Sequence, residues 1–356
     1  MPEPKLNADL LKRLCETPGI PGREERVASL IRKEVEGMFD EFTTDPMGSL
    51  ICKRSARGSG GGQPKRVMIA AHMDEIGFYV KYIDDKGFIR VNPAGGFDTR
   101  NLFARRVMVC TKSHGDILGV MNPGGRPVHI ATEEDKKKVP DIKEFFIDIG
   151  RTADEVKSMV RVGDMVVLHE PFIEVGNKFV SKAIDNRFAC WLAIEAVRAL
   201  HDSKTPHACD IYAAFTVQEE VGLRGAKTAS AFVKPDIGIG LDVSLACDTP
   251  GVPEDEAVNF HGKGAGLHVM DGSIISDYTL INELEEVANS KGIKAQRSIL
   301  ARGGQDGGAM QQTLTGSRAA GLVCGTRYIH TVTEMIDKND LAAARDLLAA
   351  WLPTVK

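Results

Sequence analysis

The sequence lacks several features that mark other classes of protein. No apolar run approaches the roughly 18 residues of a membrane-spanning helix, so we expect no membrane partner. Its 45 Lys and Arg residues, against 49 acidic residues, form no basic stripe, which argues against nucleic acid as a partner. The first residues, Met1–Lys5, lead into charges rather than an apolar stretch, and we expect no secretory signal.

The cysteines also lack a pattern, because no two of them form a Cys-x-x-Cys pair. An odd, dispersed set in a chain of this length predicts reduced thiols in a cytoplasmic protein. We expect small buried side chains at these positions and catalytic chemistry from other residues. The seven are Cys15, Cys52, Cys110, Cys190, Cys209, Cys247 and Cys324.

What the sequence contains is an alternation of strands and helices. Its 356 residues, 43% hydrophobic and 26% charged, are typical of a globular protein of two or three domains. The alternation predicts an α/β fold with a mostly parallel sheet covered by helices. Predicted strands span 67–71, 211–217, 237–243 and 319–324, and predicted helices span 23–39, 188–200, 278–290 and 340–352.

Residues 75–175 differ from both flanks. Short apolar or alternating runs there are separated by glycines and prolines, which predicts a β-rich insert, a small barrel. We expect an α/β domain made of residues 1–74 and 176–356, interrupted by this insert. A Gly/Ser-rich stretch at 58–62 predicts a surface loop. The runs of the insert span 78–83, 88–91, 106–110, 165–168 and 172–175.

Histidines and carboxylates stand where the predicted strands end. The carboxyl edge of a parallel sheet is where ligands bind in open α/β folds, so we expect these side chains to converge. They are His72, Glu219, Glu220, Asp242 and His330. Asp185, just ahead of the helix that starts near residue 188, is either a further site residue or a helix cap.

A cluster of this kind is costly to bury unless a cation neutralises it. Imidazoles together with carboxylates suit Zn, Co or Mn. The two imidazoles and three of the carboxylates are enough for two divalent ions, about 3.5–4 Å apart, that share one carboxylate and one water. With Glu220 as a ligand, the adjacent Glu219 points elsewhere and can act as a general base. Asp74, two residues after His72, can orient that imidazole.

Five segments together resemble the M42 (TET-type) family of dinuclear metallo-aminopeptidases, cytoplasmic enzymes that assemble into hollow tetrahedral dodecamers. They are AHMDEIG at 71–77, KAIDNR at 182–187, TVQEEVGLRGA at 216–226, LDV at 241–243 and RYIH at 327–330. In the insert, GVMNPGGRPVHI at 119–130 and FFIDIGRTADEV at 145–156 resemble the family's PDZ-like oligomerisation barrel.

The resemblance implies a role for each site residue and two divalent ions, zinc or cobalt, in each subunit. The implied ligands are His72 and Asp242 for one ion, Glu220 and His330 for the other, and Asp185 as the bridge. Glu219 matches the general base and Asp74 the acid that orients a histidine. The implied reaction removes the N-terminal residue of short peptides, in a homo-oligomer that is a dodecamer or passes through a dimer.

Alternatives stay open at this point. A deacylase or carboxypeptidase would use the same dinuclear site on another bond. A glycoside hydrolase (endoglucanase) needs two carboxylates about 5–10 Å apart but no metal, which leaves His72 and His330 unexplained. A non-catalytic module predicts loss of a ligand or of the base, whereas all six positions carry suitable residues.

The sequence departs from the family pattern at three places. A Gly-Gly-Thr-Asp-Ala-Gly segment reads Gly-Gly-Gln-Asp-Gly-Gly at 303–308, a proline that is common near the last histidine is missing from 324–327, and Asn186 replaces an acid. The first two lie near the expected substrate pocket. The glycine-rich segment 262–266 lacks the pattern of a phosphate loop, and we interpret it as a loop on the substrate side.

Overall fold

The computed structural model describes residues 4–58 and 61–356, which form a large mixed sheet between helices and a closed six-stranded barrel. The expected absence of a signal rests partly on Met1–Glu3, and the expected loop at 58–62 includes Ser59 and Gly60; these five residues lie outside the described ranges. Within those ranges, no helix is both long and apolar enough to cross a membrane.

Nine α-helices lie in the described ranges. They are α1 (Ala8–Glu16), α2 (Glu25–Glu34), α3 (Glu133–Lys137), α4 (Ala153–Met159), α5 (Ile184–Ser203), α6 (Arg224–Val233), α7 (Tyr278–Lys291), α8 (Asp306–Gln312) and α9 (Lys338–Trp351). The longest, α5, is buried along most of its length. Its continuous apolar sequence therefore places it inside the protein rather than on its surface.

The described strands are β1 (Glu41–Thr44), β2 (Leu50–Arg54), β3 (Arg66–His72), β4 (Gly77–Ile83), β5 (Ile89–Ala94), β6 (Arg105–Cys110), β7 (Asp116–Pro123), β8 (Phe145–Asp148), β9 (Met165–Leu168), β10 (Ile173–Val175), β11 (Lys178–Ser181), β12 (Asp210–Thr216), β13 (Ile237–Leu245), β14 (Ala265–Met270), β15 (Ala295–Ile299), β16 (Arg318–Arg327) and β17 (Glu334–Asp337).

The large sheet has the order β1-β2-β12-β3-β13-β16-β17-β11-β10, with β14 on β16 and β15 on β14. Its four central strands, β12, β3, β13 and β16, are parallel, and the outer part of this path is antiparallel. The sheet is thus mixed with a parallel centre. The barrel closes in the order β4-β5-β8-β7-β6-β9.

Strand β3 shows why a continuous apolar run predicts a central strand. Val67, Ile69 and Ala71 face the main core with α1, α5 and α9, whereas Met68 and Ala70 face a second core with α6 and α8. Because successive side chains of a strand point to opposite faces, both faces of β3 must be apolar when helices cover both.

The structure confirms the predicted α/β fold and differs from the sequence prediction in several elements. The predicted helix 23–39 is shorter, Glu25–Glu34, and α1, α3, α4, α6, α8 and eight strands were not predicted. The run 172–175, expected in the insert, contains β10, which pairs with β11 in the large sheet. The missed strands are β1, β2, β7, β8, β11, β14, β15 and β17.

The glycine-rich segment 262–266 is a further correction. None of its residues lines the cavity described below. The backbone N–H groups of Gly262 and Gly264 instead donate to the Asp340 carboxylate in the first turn of α9, each at 2.7 Å. The segment therefore holds β14 against α9 and is not a substrate-side loop.

Candidate metal centre

The parallel strands bring the predicted site residues to one edge of the large sheet. His72 is the last residue of β3, Glu219 and Glu220 follow β12, and Asp242 lies in β13. His330 follows β16, the fourth strand of the parallel set. The carboxyl ends of parallel strands share an edge, so five residues that are distant in sequence meet there.

Asp185 lies between the two histidines. Its Oδ1 is 3.4 Å from Nε2 of His72, and its Oδ2 is 3.4 Å from Nε2 of His330. Each carboxylate oxygen therefore faces one imidazole. This is the arrangement expected of a carboxylate that bridges two ions, each with its own histidine.

The other carboxylates divide between the same two histidines. Glu219 Oε2 and Asp242 Oδ1 lie 3.6 and 4.0 Å from Nε2 of His72, and Glu220 Oε2 lies 3.4 Å from Nε2 of His330. Two sets of three residues could each hold a metal ion, because within each set the three donor atoms lie within 4.8 Å of one another. The sets are His72, Asp185 and Glu220, and His72, Glu219 and Asp242.

Asp74 contacts both His72 and the loop after β12. Nδ1 of His72 is 3.0 Å from the backbone oxygen of Asp74 and 3.5 Å from its Oδ1. The same carboxylate accepts the backbone N–H of Glu219 and of Glu220, each at 3.1 Å. Asp74 is fully buried, so one fixed side chain contacts the imidazole and holds the two adjacent glutamates.

Sequence reasoning missed two buried glutamates beside the site. Glu334 accepts the backbone N–H of Asp185 and of His330. Glu24 accepts the backbone N–H of Gln218, and burial raises the pKa of Glu24 to about 7. Glu334 could have been found from the sequence, because it is a carboxylate at the start of an apolar strand, four residues after His330. Nothing in the sequence distinguishes Glu24, which lies among other charged residues at the start of a helix.

The crowding of carboxylates dominates the electrostatics of the cluster. Burial, with neighbouring carboxylates, raises the pKa of Glu219 and of Asp242 well above the ordinary values and also raises the pKa of Glu220. Burial by itself lowers the pKa of His330, but the neighbouring carboxylates of Asp185 and Glu220 outweigh it and raise this pKa to about 11. The cluster therefore favours positive charge at its centre.

The residues present fit divalent metal ions. Four carboxylates, of Asp185, Glu219, Glu220 and Asp242, face only two imidazoles, which leaves excess negative charge in buried surroundings. Oε1 of Glu220 is buried and has no hydrogen-bond partner in the described part of the chain, although a carboxylate oxygen in that position needs one. Mixed oxygen and nitrogen donors suit Zn²⁺ or Co²⁺ better than a thiolate-selecting ion.

A cavity of about 690 Å³ opens onto the cluster. Leu223, Val243, Leu245 and Leu300 give it apolar walls, and the exposed residue Arg302 adds a basic side chain to the residues of its lining. Its complete lining is His72, Asp185, Glu219, Glu220, Gly222, Leu223, Asp242, Val243, Ser244, Leu245, Ser273, Leu300, Arg302, Gly303, Gly304, Ile329 and His330. The departure from the family pattern at 303–308 thus begins in the wall of the cavity.

Comparisons with known proteins find relatives that match nearly the whole chain. Residues 48–347 match the family model described as M42 glutamyl aminopeptidase. A putative aminopeptidase of Acetivibrio thermocellus is 36% identical over 96% of each chain. The TET aminopeptidase from a marine-sediment Thaumarchaeota archaeon is 33% identical over 98% of this chain and 96% of its own, with a TM-score of 0.92. The Pyrococcus horikoshii TET1 peptidase, which can assemble into a tetrahedron or a large octahedral shell, is 30% identical over 97% of this chain and 98% of its own, with a TM-score of 0.84.

Proposed function

The chain belongs to the M42 family of metallo-aminopeptidases, and we propose that the cluster around Asp185 is the dinuclear centre of its peptide hydrolysis. The family membership favours an aminopeptidase over a deacylase, a carboxypeptidase, a glycoside hydrolase or a non-catalytic module. The observation that carries the proposal is the placement of one Asp185 oxygen against each of His72 and His330.

The proposed ligands are the five residues that the resemblance implies. His72 and Asp242 would hold one ion, Glu220 and His330 the other, with Asp185 between them. We propose Zn²⁺ or Co²⁺ as the metal, because the donors are imidazoles and carboxylates without a thiolate. When bound, such a pair lowers the pKa of a shared water and polarises the scissile carbonyl.

Glu219 is the proposed general base. It lines the cavity, and Asp74 holds its backbone N–H. Its carboxylate takes a proton from the attacking water while the water oxygen bonds to the carbonyl carbon. The same proton then passes to the leaving nitrogen as the C–N bond breaks. The products are a free amino acid and a peptide one residue shorter.

The charge of the cavity wall favours acidic N-terminal residues. Arg302 is the lining's one lysine or arginine among the described residues, and in that part of the chain it has no carboxylate partner. The loop that carries it is tied at both ends, by Leu300 N–H to Met270 O at 2.9 Å and by Gln305 N–H to Ser273 Oγ at 3.0 Å. Apolar walls with one guanidinium suit a short aliphatic stem that ends in a carboxylate, as in a glutamyl residue.

We also propose the organisation and setting of the enzyme. Residues 1–74 and 176–356, together with β10, would form the catalytic domain, and the rest of the insert 75–175 would join subunits into a dodecamer, with a dimer as an intermediate. The assembly of the similar TET1 peptidase supports this part. A cytoplasmic location is supported by the cysteines, all seven of which are free.

The test of the reaction class uses matched pairs of substrates. Glutamyl and leucyl chromogenic amides are offered with a free or an acetylated N-terminus, and peptides with a free or an amidated C-terminus. We expect cleavage only when the amine is free, whatever the C-terminus. Cleavage of the acetylated substrates, or a requirement for the free carboxyl end, would replace the aminopeptidase with a deacylase or a carboxypeptidase.

A further inference from the structure

We propose that Glu334 is a positioning residue that sets the separation of Asp185 and His330. The inference rests on the proposed function, in which those two residues are neighbouring ligands. Glu334 opens β17 and is 2% exposed. It is not among the residues that line the cavity, so it would act through the other two and not on substrate.

The two oxygens of Glu334 hold two different segments of backbone. Oε2 accepts the N–H of Asp185 at 2.9 Å, and Oε1 accepts the N–H of His330 at 2.8 Å. Asp185 is the second residue of α5, after β11, and its own backbone is not helical, whereas His330 belongs to the loop between β16 and β17. One rigid carboxylate group therefore fixes how far apart the two segments lie.

Both segments contain residues in the left-handed conformation, which only glycine adopts freely. Tyr328 and His330 have φ angles of 60° and 63°, and Ala183, two residues before Asp185, has 57°. Such conformations persist only where surrounding contacts hold them. The two bonds to Glu334 are contacts of that kind, one made at His330 and the other two residues after Ala183.

The side chains of Asp185 and His330 lie close together, as expected if the two hydrogen bonds to Glu334 act as a clamp on their backbones. The Oδ2 of Asp185 is 3.4 Å from Nε2 of His330, so these two donor atoms face each other at the end of the two segments that Glu334 holds. Loss of the clamp would let the loop of His330 move away from Asp185. Outer partners of metal ligands typically contribute 10- to 100-fold to metal affinity.

Asp340 offers a matched control. It is 1% exposed and accepts two backbone N–H groups, of Gly262 and Gly264, one on each carboxylate oxygen. Neither glycine belongs to the proposed site. Glu334→Gln and Asp340→Asn make the same chemical change, since each replaces one accepting oxygen with an NH₂ group that faces an N–H donor.

The experiment measures the affinity of chelator-treated protein for Zn²⁺ by competition with a chromogenic chelator, the visible spectrum of bound Co²⁺, and thermal melting. We expect both variants to melt at lower temperature than the wild type. Glu334→Gln is expected to bind Zn²⁺ 10- to 100-fold more weakly and to change the Co²⁺ spectrum. Asp340→Asn is expected to match the wild type within about twofold in both metal measurements.

Wild-type metal binding in Glu334→Gln, with melting lowered as in Asp340→Asn, would show a merely structural role and overturn the proposal. If Glu334→Gln does not fold, Glu334→Asp replaces it; this variant keeps the carboxylate but shortens its reach, and wild-type affinity there would overturn the proposal equally. A wild type that binds no metal would instead overturn the proposed function, and the positioning role with it.

Discussion

The carboxylate of Asp74 accepts the backbone N–H of Glu219 at 3.1 Å. Its second oxygen accepts the N–H of Glu220 at the same distance, and its first lies 3.5 Å from Nδ1 of His72. Asp74 thus links the strand that ends in a proposed ligand to the loop that carries the proposed base. It holds the backbone of both adjacent glutamates, whose side chains lie against different histidines, Glu219 against His72 and Glu220 against His330.

Asp74→Asn is expected to lower kcat about 10- to 100-fold with little change in KM. The amide group would face one of the two N–H donors and displace the loop of Glu219, while the substrate cavity stays intact. Steady-state kinetics test this. Asp45→Asn is the control, because Asp45 also accepts backbone N–H groups, those of Met47, Gly48 and Ser49, in a turn outside the cavity lining. An unchanged kcat in Asp74→Asn would contradict the role.

Glu219→Gln is expected to lower kcat by about 10²- to 10⁴-fold, because an amide cannot take the proton from water. Metal content should stay that of the wild type, since Glu219 is the base and not a ligand. Glu220→Gln, one residue along, should instead lose metal affinity. Elemental analysis together with kinetics separates the two effects, and loss of metal from Glu219→Gln would show that the two roles are exchanged.

Arg302→Glu is expected to lower kcat/KM for a glutamyl amide at least tenfold and to raise it for a lysyl amide. The reason is that the charge at this position of the cavity wall changes from positive to negative. Arg302→Lys keeps the charge and is the matched control, expected to retain the glutamyl preference. A leucyl amide, which has no charged side chain, reports general damage. An equal loss of kcat/KM on all three substrates would show that Arg302 does not determine specificity, without contradicting the peptidase reaction.

Asp248→Asn is expected to reduce stability at pH 7 by about 2 kcal/mol. Arg327 binds Asp248 through two 2.7 Å contacts, and these hydrogen bonds lower the pKa of Asp248 from 3.8 to about 2. The folded state therefore binds a proton less readily than the unfolded state, so the contribution is complete above pH 4 and is lost as the pH falls towards 2. Urea unfolding at several pH values checks this. The prediction is contradicted if the difference in free energy of unfolding between the wild type and Asp248→Asn stays the same as the pH falls towards 2.

The sequence predicted that the proposed ligands lie together, because each of those carried by a strand interrupts or follows a long apolar run. His72 after β3 and Asp242 in β13 needed no tertiary information, since the carboxyl ends of parallel strands must share an edge. Asp185 was ambiguous from its residues alone, as an acid before a helix is commonly a cap. Its position between the two histidines depends on the turn from β11 into α5, which periodicity does not encode.

The supporting residues were not predictable in the same way. Glu334 reaches Asp185 only because β17 pairs antiparallel with β11, with Ser181 opposite Glu334. Edge strands such as β1 and β15 are half exposed, so their sequences lack the continuous apolar run that identified the central strands. The barrel was predicted as β structure, but its strand order was not. Alternation and glycine spacing indicate strands without showing which of them pair.

The proposed assembly is tested by the mass of the purified protein. Twelve copies of a 38.6 kDa chain predict a particle of about 460 kDa, and a dimer of about 77 kDa as its intermediate. Mass photometry at several protein concentrations measures both. A monomer at every concentration would contradict the assembly, without bearing on the chemistry of the site.

The most direct test of the dinuclear centre is a metal titration of the chelated enzyme followed by activity. Zn²⁺ or Co²⁺ is added in steps while bound metal and hydrolysis of a glutamyl or leucyl amide are measured on the same sample, with Asp185→Asn in parallel. The account predicts that activity is lost on chelation and returns fully only as two ions per subunit bind, and that Asp185→Asn does not regain it. Full activity without metal, or full recovery with Asp185→Asn, would contradict the account.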